Sequence, residues 1–329
     1  MPDDVEFLTK PQIAVTLIDR ALSNGIVVKA WTFDEFYGAN GEFLNALEVR
    51  GQAFVGEVPS IFHGWVQKPP VTSQPLKKRK KKPNGKRNRR RRAGLRVKAG
   101  HPVSQVRNLA KYSPVFQKQS WQKYLIKGTQ KGPEVWAIKW AVFWRKNELG
   151  LPGRRHILIV ARNVLTGEVK YFISNRVPGA KGISLRWILR VAFGRWSVES
   201  VFREAKDELG LDHYEVRGWR CVHRHFFLTQ LSQLFCARTR QALAPDSNPE
   251  EIRLTFEQVR SAMNTWLQAA DLKPPARKAH YEKELRKQHY HQQRNRRARV
   301  SHTKTRRQQL ADLGIDPDKI KSCLVHETS

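Results

Sequence analysis

Three charged side chains lie within one apolar helical stripe. Residues 184–209 predict a long helix that Ser184 can cap. At about 100° per residue, Arg195, Glu199 and Lys206 share the middle of its apolar arc. After Arg195, the apolar face of the helix carries Val198, Phe202, Ala205 and Leu209. Because an unpaired buried charge is costly, all three charges need partners.

The helix pattern alone leaves two interpretations open. In the first, the arginine, glutamate and lysine satisfy one another as an ion-pair network. In the second, the carboxylate binds a metal ion and the two cations bind phosphate, since Mg²⁺ prefers oxygen ligands. The basic character of the chain favours phosphate chemistry.

The chain is strongly basic. It contains 61 Lys and Arg against 29 Asp and Glu in 329 residues, a net charge of +32. Such an excess indicates a polyanionic partner, with nucleic acid as the first interpretation and an anionic membrane surface as the alternative. No apolar run approaches the roughly 18 residues of a membrane-spanning helix. The three cysteines have no paired spacing, which favours a reduced, cytoplasmic setting. With nucleic acid as the partner, we expect the protein to be nucleoid-associated.

Two segments concentrate the charge. Residues 77–92 hold 12 basic side chains and no acid, and residues 271–310 hold 13 basic and three acidic ones. We interpret the first as an arm that lies along phosphates, with a solubilising loop or a nuclear-type address as the alternative. Residues 291–307 are interpreted as a second DNA-backbone contact rather than a plain solvated face. The predicted contacts are Lys77, Lys78, Arg79, Lys80, Arg89, Arg90, Arg91, Arg92, Arg296 and Arg297.

The first 60 residues predict an α/β unit. A helix over 9–24 is followed by a buried strand over 25–33 that closes on Asp34. A second helix capped by Asn40 leads to a strand over 52–58. A strand–helix–strand unit of this size favours parallel pairing.

The rest of the chain divides into β-rich and helical parts. Strands are predicted at 119–126 and 134–144, with a hairpin formed by 156–163 and 168–174. Further helices are predicted at 222–242, 255–269 and 275–299, before a loosely ordered tail over 301–329. The predicted divisions are 1–60, 61–180, 181–245 and 246–329.

The motif R-(3)-E-(6)-K at Arg195, Glu199 and Lys206 resembles the Y-(2)-R-(3)-E-(6)-K signature of DDE insertion-sequence transposases. The surrounding FREAK and ELGLDHYEVRGW segments are similar as well, and WTFDEFYG resembles the second-aspartate segment of that family. The resemblance implies an incomplete RNase H-like α/β domain interrupted by a β-rich insertion, with a helical basic C-terminal extension.

The resemblance also implies roles for individual residues. Asp34 and Glu199 would be catalytic metal ligands, and Arg195 and Lys206 would contact phosphate. The expected cofactor is Mg²⁺ or Mn²⁺ in a two-metal site with ions about 3.5–4 Å apart, which cleaves and joins the strands of transposon ends and target DNA. The signature tyrosine is replaced by Ala192.

The first catalytic aspartate has no counterpart, because no aspartate before Asp34 follows a hydrophobic strand. We therefore expect the C-terminal portion of a transposase, inactive by itself, either as a decayed remnant or as one half of a frameshifted gene. The expected partners are DNA, the upstream half and a second copy of the chain. The alternative is a non-catalytic basic DNA-binding protein that retains the scaffold, and a third hypothesis is a poorly folded pseudogene product.

Overall fold

The computed structural model describes residues 6–74, 94–129, 131–243 and 254–323. The α-helices are α1 (Lys10–Ser23), α2 (Glu35–Gly38), α3 (Gly41–Val49), α4 (Val106–Tyr112), α5 (Pro114–Gln117), α6 (Leu185–Gly194), α7 (Trp196–Leu209), α8 (Trp219–Ala242), α9 (Phe256–Ala269) and α10 (Pro274–Asp312). The strands are β1 (Val55–Val58), β2 (His63–Trp65), β3 (Val71–Gln74), β4 (Gly94–Val97), β5 (Ser104–Gln105), β6 (Gln122–Thr129), β7 (Gly132–Lys146), β8 (Pro152–Asn163), β9 (Val169–Ser174) and β10 (Lys321–Ser322).

Local sequence signals set most of these boundaries. Thr9 and Gln12 form a capping box at the start of α1, and the side chain of Asn40 accepts a hydrogen bond from Phe43 N at the start of α3. The predicted hairpin is present as β8 and β9, which pair antiparallel. These predictions are confirmed because each depends on neighbours in the chain.

A mixed eight-stranded sheet forms the centre of the described residues, in the order β1-β9-β8-β7-β2-β5, with β6 also paired to β7 and β10 paired to β6. The pairing of β6 with β10 is parallel. Helices cover both faces of the sheet. Ile18 of α1 and Leu44 of α3 pack on one face, together with Phe143 of β7. On the other face Ile188 of α6 packs with Trp136, also of β7. The alternation predicted for β7 thus separates two apolar cores.

The predicted parallel pairing of the first unit is confirmed, but its first strand is much shorter than expected. Trp31 N donates to Ala53 O at 2.9 Å, and Val55 N donates to Trp31 O at 2.9 Å. The preceding Ile26 and Val27 are exposed, Val27 to 94%. The prediction of a buried strand over 25–33 is therefore wrong before Trp31, because no described element covers that stretch.

The predicted continuous helix over 184–209 is also wrong. It divides into α6 and α7 at Arg195, where Ser197 Oγ donates to Gly194 O at 2.7 Å. Val198 N, which would bond to Gly194 O in a continuous α-helix, donates instead to Arg195 O at 3.1 Å. The low helix propensity of glycine favours a break here.

The C-terminal tail is more ordered than predicted. The last helix, α10, continues to Asp312, and Cys323 N then donates to Leu125 O at 2.7 Å beside β6. Leu310 and Ile315 are buried against Val135. A few apolar residues are enough to dock this polar segment against the sheet. The composition of the segment does not reveal this. Among the described helices, none combines the length and the apolar character that a membrane span requires.

Candidate active site

Asp34 stands where the short parallel segment Trp31–Phe33 ends and α2 begins. Its Oδ1 accepts hydrogen bonds from Phe36 N at 3.1 Å and Tyr37 N at 3.3 Å, so its side chain caps α2. Just before the cap, Glu57 N donates to Phe33 O at 3.0 Å, which holds the segment against β1. The expected location of Asp34 at a strand end is thus observed.

Further ionisable side chains surround Asp34. Burial raises the pKa of Glu35, and the negative charges of Glu57 and Asp34 raise it further, against the opposing charge of Lys170. Glu57 is buried, and its Oε1 lies 3.0 Å from Lys170 Nζ. This end of β1 therefore concentrates negative charge that one lysine partly compensates.

Glu199 lies in the first turn of α7 and is paired with Arg195. Arg195 Nη1 lies 2.7 Å from Glu199 Oε1, across an i, i+4 separation. Lys206 does not join them, because its Nζ lies 3.8 Å from Asp212 Oδ2. The three-residue network is therefore reduced to one ion pair.

The expectation that these charges are buried in an apolar groove is wrong for this structure. The side chain of Glu199 is 43% exposed and that of Lys206 is 52% exposed. Phe202 on the same helix is 56% exposed. Val198 and Val201 are also nearly half exposed, so the described residues leave most of the apolar side of α7 uncovered.

Asp34 and Glu199 belong to differently packed parts of the molecule. Asp34 belongs to the layer of α2 and β1, whereas α7 packs against α8 and α9. Glu208 of α7 accepts from Arg260 Nε of α9 at 2.6 Å, and Val201 O accepts from Gln233 of α8 at 2.9 Å. Among the described residues, no hydrogen bond or ion pair joins Asp34 to Glu199.

A donor set for a metal is incomplete in the described part of the chain. No three His, Cys, Asp or Glu side chains stand close enough together there to hold an ion. The assignment of Asp34 and Glu199 to one metal centre stays a prediction.

The predicted phosphate contacts divide into two groups. Lys77, Lys78, Arg79, Lys80, Arg89, Arg90, Arg91 and Arg92 lie outside the described residues. The strands that flank them pair with each other, Gln74 opposite Gly94. Arg296 and Arg297 are exposed on α10.

Glu57 and Lys170 were not among the residues selected from sequence. The signal for Glu57 was present, since it interrupts the apolar run FVGEV. Lys170 could not be selected in this way, because its position beside Glu57 arises from the pairing of β1 with β9.

Comparison with known proteins supports part of the predicted identity. Residues 1–133 match the family model described as DDE superfamily endonuclease. The match includes Asp34 and ends before Arg195, Glu199 and Lys206. No curated protein matches the chain. The match therefore supports a DDE transposase-type domain with a transposase-like nuclease function in this part of the chain, and it implies DNA as the substrate.

Proposed function

We propose that this chain is one part of a DDE-type transposase that cleaves and transfers DNA strands of a mobile insertion sequence. The observation on which the proposal depends is the position of Asp34, at the end of a segment paired parallel with β1 and within the matched residues. In this proposal Asp34 and Glu199 are metal ligands, and Arg195 and Lys206 contact DNA phosphate.

The two carboxylates retain free capacity for such a role. The capping bonds of Asp34 use Oδ1, and the ion pair of Glu199 uses Oε1. The residues that the structure describes do not fit a two-metal centre as they stand, because no three ligand side chains converge among them and α7 packs against α8 and α9. We therefore assign the requirement for Mg²⁺ or Mn²⁺ to an assembled enzyme and derive no catalytic step through an ion.

The open edge of the sheet beside Asp34 is where a further polypeptide segment would complete the site. Trp31 directs its N–H and C=O toward β1, so those of Ala30 and Thr32 point away from it. No partner for these groups occurs among the described residues, and Ile26 and Val27 beside them are exposed. We propose that a strand of an upstream transposase half pairs here and places its carboxylate next to Asp34.

Mn²⁺ binding tests the two assigned ligands. Asp34→Asn removes the charge but keeps the helix cap, since asparagine caps as well as aspartate. Asp34→Asn and Glu199→Gln should each lower the Mn²⁺ affinity of the assembled protein by about tenfold or more, measured by calorimetry. Glu42→Gln and Asp207→Asn are matched controls, because both remove an exposed acid nearby. Equal affinity in all four variants would exclude the assignment.

Strand cleavage tests the need for a second polypeptide. The chain by itself should leave a DNA duplex uncut with Mg²⁺ or Mn²⁺, and addition of an upstream half should produce cleavage that Glu199→Gln abolishes. Cleavage by the single chain that depends on Glu199 would show that the site is already complete.

The second candidate function is a non-catalytic DNA-binding protein, and the absence of a three-ligand group from the described residues favours it. It predicts DNA binding that salt weakens and that Asp34→Asn and Glu199→Gln leave unchanged. Failure of Mn²⁺ to bind the assembled protein would support this candidate.

A homodimer stays a prediction. Large apolar side chains on one side of α8, Phe227, Leu231 and Leu234, are each exposed by half or more. Sedimentation analysis of the full chain and of Leu231→Asp would test it, because a dimer joined through this side should dissociate in the variant.

A further inference from the structure

We propose that one face of α10 is the docking surface for duplex DNA. This inference rests on the proposed action on DNA. It adds which side of α10 binds the nucleic acid, and that the bound nucleic acid is a duplex. We call this surface the open face and define it by five cations: Lys283, Arg286, Arg294, Arg297 and Lys304.

The N-terminal part of α10 is held against α9. Arg277 donates to the carbonyl oxygens of Ala269 at 3.1 Å and Ala270 at 2.9 Å. Further along, Gln288 Nε2 lies 3.4 Å from Ser261 Oγ. These bonds fix the direction in which the helix leaves α9.

The C-terminal part of α10 is held against the sheet. Leu310 is buried with Val135 of β7, and a side chain added at Gly132 would lie 3.0 Å from Thr303 Cα. Every residue from 289 to 302 is exposed. The helix therefore bridges two supports with a free middle span of about 20 Å.

The supports define which side of α10 is open. Between residues 281 and 310 the partly or fully buried positions are Tyr281, Glu284, Gln288, Thr303, Arg306 and Leu310. At 100° per residue all of them lie about 140° to 240° from Arg297. Arg297 is therefore central to the side that faces away from α9 and β7.

The five cations of the open face fall within about 60° of Arg297. They are Lys283, Arg286, Arg294, Arg297 and Lys304, and no acid occurs in the sequence from 285 to 311. None of the five has an acidic partner among the described residues. Their charge is therefore available to an external polyanion.

The dimensions of the open face favour a duplex. From Lys283 to Lys304 the helix rises about 32 Å, close to the roughly 34–36 Å of one turn of B-DNA. A single strand is usually bound by successive aromatic side chains, and Tyr290 is the one Phe, Trp or Tyr in this segment. A membrane-surface helix needs a continuous apolar face, and Leu285, Ala298 and Val300 are too few and too scattered around α10 to form one in this segment.

Salt-dependent binding of a DNA duplex of about 25 base pairs tests the inference. The full chain is measured in EDTA, so that any metal site is irrelevant. Each phosphate contact contributes about 0.9 to the slope of log K against log salt concentration. The triple variant Arg294→Ala, Arg297→Ala, Lys304→Ala should therefore lower that slope by about 3, while alanine preserves the helix.

Arg297→Ala and Arg299→Ala form a matched pair. Both residues are exposed arginines two positions apart, but Arg299 lies about 160° from Arg297, on the side of the supports. Arg297→Ala should lower the slope by about 1 and Arg299→Ala should leave it unchanged. An equal effect of the two substitutions would overturn the assignment of the face.

Other outcomes would reject the inference in distinguishable ways. An unchanged slope in the triple variant, with DNA still bound, would refute the docking surface and leave the proposed function standing. Equal affinity for a single strand of the same length would refute the duplex. Binding to phosphatidylserine vesicles that the triple variant loses, without a change in DNA binding, would identify a membrane instead. No DNA binding by the wild-type chain would contradict the proposed function as well.

Discussion

Asp34 combines a structural role with a predicted chemical one. As the cap of α2 it accepts two backbone hydrogen bonds, and loss of such a cap costs about 1 kcal/mol. Replacement by alanine would therefore change both stability and any metal affinity. The asparagine variant separates these effects, which is why the metal experiment uses it.

Glu48 of α3 is the centre of a buried charged cluster. His156 Nε2 lies 2.7 Å from Glu48 Oε1, and Arg145 Nη2 and Arg154 Nε each lie 3.6 Å from Oε2. Arg145 also contacts Asn45 Oδ1. The cluster joins α3 to β7 and β8.

Glu48→Gln should lower the free energy of unfolding by about 3–5 kcal/mol at neutral pH, because it leaves the buried guanidinium of Arg145 without its counter-charge. Urea unfolding measures the change. Glu42→Gln on the exposed side of the same helix should change it by less than about 0.5 kcal/mol. Similar losses in both variants would contradict a special role of the cluster.

The contribution of Glu48 should also depend on pH. Burial raises the pKa of Glu48, but the hydrogen bond from His156 and the charges of Arg145 and Arg154 outweigh it, so the pKa lies below its ordinary value. A carboxylate with a lowered pKa stabilises the fold above its unfolded pKa of about 4.3 and loses that contribution as the pH falls through the folded value. The stability difference from Glu48→Gln should therefore shrink below about pH 4.

At the scale of elements, the close contact of α2 with β1 places Asp34. Gly38 ends α2, and a Cβ atom at this position would lie 1.9 Å from Glu57 O. A backbone oxygen in a paired strand cannot move aside without a large energetic cost, so only glycine fits here. The contact fixes the height of the capped helix above the strand.

Gly38→Ala should reduce stability by about 1–3 kcal/mol, because the methyl group forces α2 away from β1. Gly41→Ala is the matched control, since its added Cβ would meet Arg145 Nη1 at an ordinary 3.7 Å. Urea unfolding of both variants is the measurement. If Gly41→Ala destabilised the protein as much as Gly38→Ala, the close contact would not be the cause.

The division of the predicted helix at Arg195 is the main difference between expectation and structure at this scale. The apolar periodicity of 184–209 is continuous, so it predicts one helix. The hydroxyl of Ser197 donates a hydrogen bond to the carbonyl oxygen of Gly194, and apolar periodicity does not describe such an interaction. The caps at Ser184 and Asn40 are predictable from the sequence, because each lies within three residues of its partner.

At the scale of the whole molecule, Lys321 and Ser322, near the end of the described residues, belong to the sheet as β10. Cys323 is fully buried, and its Sγ donates to Arg186 O at 3.0 Å. Burial raises the pKa of the Cys323 thiol to about 11, against the opposing charges of Arg190 and Arg186. This thiol is therefore protonated and shielded while the C-terminal segment stays docked.

Cysteine alkylation tests this docking. The native protein is treated with iodoacetamide at about pH 8, near the ordinary pKa of a thiol. Exposed Cys221 should be modified rapidly, whereas buried Cys236 and Cys323 should be modified slowly. Peptide mass spectrometry measures each site, and denatured protein, in which all three should react, is the control. Rapid native modification of Cys323 would show that β10 is not stably paired with β6.

The sequence by itself determined most of the local elements, the basic segments and Asp34 at the end of a strand segment. These depend on caps, periodicity and charge, which neighbouring residues set. Only the tertiary structure decided that Glu57 and Lys170 lie near Asp34, that the polar tail docks through Leu310 and Cys323, and which side of α10 is open. Each of these depends on pairing or packing between residues far apart in the chain, whose free energy no local pattern records.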